Sequence, residues 1–135
     1  NFGDGTTGTG KTVTHSYSTA RVYTVTLTVI DSQGLSSSDM ANVTVYTPYQ
    51  GIEDLKVVLR GMHINLAKEK TLISYLDSAQ KMIGMGMCPQ AITALQSFNL
   101  NVNGMRGLYL TNDQADTLIA YNNRIIASIQ QCGCR

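Results

Sequence analysis

The chain has 135 residues, enough for one ordinary domain or two small ones, and its ten Lys and Arg against nine Asp and Glu give a formal net charge of +1. Residues 1–46 hold two basic and three acidic side chains and residues 47–135 hold eight and six, so neither part builds the strong positive field that nucleic-acid binding needs. Only 14% of residues are charged and no run of eighteen apolar residues occurs, which excludes a spanning helix and leaves Ser, Thr, Asn, Gln and Gly carrying the polarity, as in extracellular modules.

Composition changes partway along. Residues 1–46 contain ten Thr, six Ser, one Met and no Cys, whereas residues 47–135 contain five Thr, four Ser, five Met and all three Cys. Branched side chains suit a pleated surface and crowd a helical turn, so the first part predicts strands and the second, rich in Leu, Ile, Ala and Gln, predicts helices.

In chain order, Val13, His15 and Tyr17 alternate with Thr and Ser, the period of a strand with one buried face. Tyr23, Val25, Leu27 and Val29 alternate with Thr24, Thr26 and Thr28 and stop at Asp31-Ser32-Gln33-Gly34, a turn sequence. Ala41, Val43 and Val45 repeat the pattern, giving three short antiparallel strands of sandwich type. Thr47-Pro48-Tyr49-Gln50-Gly51 reads as a linker over 47–51.

Beyond it the period becomes helical. Four apolar stripes follow: Ile52, Leu55, Leu59 and Met62; Leu72, Leu76, Ala79 and Ile83; Ile92, Leu95, Phe98, Val102 and Met105; and Ala115, Leu118, Ile119, Asn122, Ile125, Ile126 and Ile129. Thr111-Asn112-Asp113-Gln114 is a capping box and Pro89 suits a helix start. The predicted fold class is α+β in two segregated units: a truncated immunoglobulin-like antiparallel sandwich over 1–46 and a bundle of about four helices over 52–135.

Asn1-Phe2-Gly3-Asp4-Gly5, His15-Ser16-Tyr17, Tyr23 through Val29, Asp31 and Gly34 resemble the polycystic-kidney-disease (PKD) domain, whose pattern runs W-x-F-G-D-G, H-x-Y, Y-x-V-x-L-x-V-x-D. The resemblance implies an immunoglobulin-like sandwich acting as a spacer, or as a module contacting protein or carbohydrate, in surface-layer proteins and secreted hydrolases. The strands that precede the aromatic-Gly-Asp-Gly turn in the family are absent, so the start reads as a truncation, with the export signal and further domains upstream. Arg21 stands where the family usually has Gly, and a positive φ there would cost on the order of 1 kcal/mol. Residues 76–81, residues 91–98, Val102, Gly107 and residues 110–119 are similar to a helical module that follows PKD repeats in some secreted bacterial and archaeal proteins, for which no catalytic activity is implied.

Gly5 through Thr12 satisfies G-x-x-x-x-G-K-[ST], but the pattern continues as strand where a phosphate loop needs a helix, so a Gly/Thr-rich hairpin loop is preferred over a nucleotide site. Gly3, Asp4 and Gly5 read as a structural turn, since no calcium-type acidic cluster surrounds Asp4. His15 packs beside Tyr17 or Tyr23 and His63 sits on a helix end, without metal-spaced partners; Asn122 fixes helix register. No nucleophile elbow or carboxylate pair is present. No metal or cofactor is implied. Tyr17, Tyr23, Tyr46 and Tyr49 are the candidate contact aromatics.

Cys88 opens the third helix, and Cys132 and Cys134 close the fourth at the same end of an antiparallel pair. A bridge from Cys88 to one of them suits an oxidising compartment, three free thiols suit a reducing one, and a zinc site lacks a fourth ligand. The sequence thus predicts a non-catalytic extracellular or cell-surface module, a spacer or adhesion element with protein or carbohydrate partners. The alternative is an accessory substrate-binding region of a secreted protease or glycosidase, with catalysis in upstream domains.

Overall fold

The computed structural model describes residues 1–134, apart from the Cys132 side chain, which with Arg135 lies outside the described residues. The chain divides into two compact units, residues 1–46 and residues 47–135. The architecture is α+β, a two-stranded antiparallel sheet followed by four helices.

In the first unit β1 (Val22–Ile30) pairs with β2 (Ser36–Thr44) from Val22 opposite Thr44 to Ile30 opposite Ser36. Asp31 makes the turn between them. Its Oδ1 accepts from the amides of Gln33 (2.8 Å) and Leu35 (2.9 Å), the aspartate chemistry that such turns exploit. Register places Tyr23, Val25, Leu27 and Val29 on one face with Val43 and Ala41, as the alternation predicts. Only Tyr23 is buried; Leu27 and Val29 are 64% and 55% exposed, because the unit has one sheet where a complete sandwich has two.

The strand expected at Val13, His15 and Tyr17 is not formed. Residues 13–17 have no ladder partner, and their alternation serves side-chain contacts instead: His15 and Tyr17 are half-buried while Val13 is exposed. The linker expected over 47–51 is also replaced. Thr47 is the N-cap of α1 (Pro48–Gly61), its hydroxyl accepting from the Gln50 amide while the Gln50 side chain accepts from the Thr47 amide. Pro48 fills the first helical position, where its missing N–H costs nothing.

The remaining helices are α2 (Leu66–Gly84), α3 (Cys88–Met105) and α4 (Asn112–Cys132). Asn65 caps α2 and the Thr111–Gln114 box caps α4. Each helix packs on two others, α1 on α2 and α4, and α3 on α2 and α4, and the short connections make sequence neighbours antiparallel. The four stripes meet in one core in which Leu55, Leu59, Leu72, Leu76, Leu95, Phe98 and Leu118 are fully buried.

Candidate functional site

The turn at the start of the chain is built on its backbone. Gly3 adopts φ +79°, and a Cβ there would stand 2.5 Å from the Thr24 carbonyl oxygen of β1, so only glycine allows so close an approach. Asn1 exchanges two hydrogen bonds of 2.9 Å with Thr26, which lays the first residues along β1. Asp4 then turns back on itself: its Oδ1 accepts from the Thr6 hydroxyl (2.7 Å) and amide (3.0 Å), and its Oδ2 meets His15 Nε2 at 2.7 Å. The Thr6 hydroxyl first, and then His15, hold the Asp4 carboxyl down to about 2 from its ordinary 3.8.

An aromatic column continues from this pair. Phe2 stacks on His15 with centroids 4.1 Å apart, Tyr17 meets His15 edge-on at 4.7 Å, and Tyr17 stacks on Tyr23 at 4.0 Å. Tyr17 donates its phenol to the Phe2 carbonyl and Tyr23 donates to Thr19. Burial, followed by the Asp4 charge, raises the Tyr17 phenol above its ordinary value. Arg21 closes the column, its guanidinium 4.4 Å from the centre of the Tyr23 ring. The strain expected at Arg21 is absent, since among the described residues the non-glycine residue with positive φ is His63, after the last turn of α1.

Gly3, Asp4 and Gly5, Tyr17 and Tyr23 are therefore joined in one structural centre. Tyr17 and Tyr23 spend their hydroxyls on backbone carbonyls of the same unit, while Tyr46 and Tyr49, 47% and 48% exposed, belong to separate units. Residues 5–12 are an irregular loop with no helix after it, so the amides that would cradle a phosphate do not converge at a helix start. Among the described residues no group of three or more His, Cys, Asp or Glu is placed to hold a metal ion, and no helix is long and apolar enough to cross a membrane.

The helical unit carries a polar cluster that sequence reasoning missed. Lys56, 5% exposed on α1, reaches Asp77 (2.7 Å) and Glu53 (3.0 Å) and also bonds Gln80 of α2. Burial opposes its charge, and Asp77 followed by Glu53 outweighs that, raising it above the ordinary lysine range. Gln80 in turn donates to Glu53 (2.7 Å) and to the Tyr49 carbonyl (3.2 Å). The cluster joins α1 to α2; Tyr121 and Asp54 join α4 to α1. Asn122 is fully buried, donating to the Leu95 carbonyl and Asn99, which fixes α4 against α3. None of these groups was legible as a cluster, because partners such as Lys56 and Gln80 lie 24 residues apart.

Cys88 and Cys134 form a disulfide, their Cα atoms 5.5 Å apart. The alternative pairing through Cys132 falls on a side chain outside the described residues.

Residues 1–45 match the family model described as the PKD domain. The same stretch is 53% identical over 45 residues to the collagenase ColA of Bacillus cereus, which covers 33% of this chain and 5% of that protein. No solved structure gives a significant match. The match supports the reading of the aromatic-Gly-Asp-Gly turn and of β1, and it stops short of the helical unit.

Proposed function

We propose that the chain is a non-catalytic accessory region of an extracellular hydrolase, with its PKD segment contacting a fibrous protein substrate. The observation that carries this reading is the 53% identity of the PKD segment to part of a collagenase. The geometry is compatible with it, because the Asp4–His15 pair and the column from Phe2 to Arg21 are spent on holding the turn, leaving no activated nucleophile or acid–base pair beside them. What the unit offers a partner is the two open faces of its hairpin, Leu27 and Val29 on one and Ile30 and Met40 on the other, standing among Ser and Thr, together with Tyr46. Such a mixture of apolar and hydroxyl groups suits a protein strand or fibre more than a charged polymer.

The test is co-sedimentation of the whole chain with insoluble fibrillar collagen, chitin and cellulose in parallel. Retention on collagen, reduced several-fold by Tyr46→Ala, is the expected result. Retention on a polysaccharide alone would redirect the reading to a glycosidase accessory region, and retention on none of the three would favour a spacer.

A further inference from the structure

At the tip of the hairpin the two strands leave an open cavity of about 310 Å³, lined by Val29, Ile30, Asp31, Leu35, Ser36 and Ser37. Its apolar walls stand in water: Val29 is 55% exposed, and Ile30 and Leu35 are each 69% exposed. Asp31 is the charged group among the lining residues, and the turn fixes it from several sides. Its Oδ1 accepts from the Gln33 and Leu35 amides, its own amide donates to the Leu35 carbonyl (2.9 Å), and its carbonyl accepts from the Gly34 amide (3.1 Å). Among the described residues nothing bonds Oδ2 or the hydroxyls of Ser36 and Ser37, so three acceptors remain on lining residues. Asp31 and Asp39 are the charged side chains of residues 22–45, so the hairpin holds two negative charges and no positive one of its own.

We propose that this cavity takes a lysine or arginine side chain of a partner protein, its aliphatic stem against Val29, Ile30 and Leu35 and its cationic head on Asp31. That the side chain comes from a protein segment rests on the substrate-contacting reading above. A long cationic side chain is the group that satisfies both halves of the site, because it lays its methylenes on apolar surface while keeping its head at a polar partner. A purely apolar side chain would cover Asp31 without pairing it, an anion would be repelled, and a sugar would leave the three apolar walls uncovered. The hydroxyls of Ser36 and Ser37 accept the remaining N–H groups of the head. A carboxylate already fixed by the turn loses little freedom on binding, and its bond to the cation is charge-assisted. The volume lies at the lower end for ligand clefts and suits one side chain.

The probes are Nα-acetyl-lysinamide, Nα-acetyl-argininamide and the neutral Nα-acetyl-norleucinamide, titrated at constant ionic strength into the isotopically labelled full chain and followed by amide NMR shifts. Saturable shifts at Gln33, Leu35 and Ser36 are expected with both cationic probes and not with the norleucine one. Asp31→Asn keeps an oxygen for the two turn amides, so the turn should persist while affinity for the cationic probes falls at least about fivefold. Asp39→Asn should leave that affinity unchanged, and Leu35→Ala, at an exposed side chain, should weaken both cationic probes without disturbing the turn. No saturable shift, an equal response to norleucine, or undiminished binding by Asp31→Asn would overturn the proposal. Collagen retention of the native chain is read separately. No retention with probe binding intact would discard the collagen reading and keep the cation site, whereas retention without probe binding would discard the cation site alone.

Discussion

Residues 47–134 enclose a core of apolar side chains from four helices, whereas in residues 1–46 Tyr23 is the buried apolar side chain and the faces of the hairpin are open. The helical unit is held by area removed from water, with polar groups placed as register pins between helix pairs. The β unit is held by a close backbone approach at Gly3, a carboxylate that collects three hydrogen-bonding contacts and a stack of rings. The same number of substituted atoms should therefore have very different consequences in the two units, and their unfolding should not be one transition.

The largest effect is expected in the helical core. Phe98→Ala removes a fully buried ring and should cost about 3–5 kcal/mol, read as a lowered midpoint of the helical transition in urea. Equal loss from an exposed β1 side chain would show that the two units are held in the same way. Next comes the Cys88–Cys134 bridge, whose partners are 46 residues apart; closing such a loop stabilises by about 4 kcal/mol before strain is counted, so a Cys88→Ser, Cys134→Ser pair should lower the helical transition and leave the β unit where it was.

Gly3→Ala follows. The added methyl meets the Thr24 carbonyl and the positive φ disfavours it, so on the order of 1–2 kcal/mol should be lost from the β unit alone, visible as faster exchange of the Thr26 amide that bonds Asn1. The acid response is local too. Asp4 ionises near 2 in the folded chain and near 3.8 when unfolded, so its contribution is complete above about 4 and is lost as the pH falls toward 2. Titration by NMR should show the Thr6 amide losing protection in that window, and Asp4→Asn should remove the pH dependence. At the small end, Leu27→Ala, at a side chain 64% exposed, should shift stability by no more than about 0.5 kcal/mol.

Much of this could be read beforehand from particular residues. The four helical stripes and the Thr111–Gln114 box were legible because helical periodicity and capping are local. The Thr47–Gln50 box carries the same signal, yet Pro48 and Gly51 drew the segment toward a linker reading; proline at a first helical position supports a start as readily as it ends a strand. The alternation at Val13, His15 and Tyr17 misled because contacts to Asp4 and Phe2, and not a ladder, impose it. The hydroxyl bonds of Tyr17 and Tyr23 depend on carbonyls of Phe2 and Thr19, and the Lys56 cluster on a helix pairing, neither of which a sequence pattern encodes.

The ring of helices also sets an order of events during folding. The pairs α1–α2, α2–α3 and α3–α4 each join neighbours through short connections, but the contact of α1 with α4 brings together Asp54 and Tyr121, 67 residues apart, and Met62 and Gln114, 52 apart. Chain entropy makes that closure the slowest encounter, so a three-helix intermediate of α2, α3 and α4 should form first and α1 should dock last. Destabilising α1 at Leu55 should then speed unfolding while leaving the folding rate nearly unchanged, whereas the same truncation at Leu95 should slow folding.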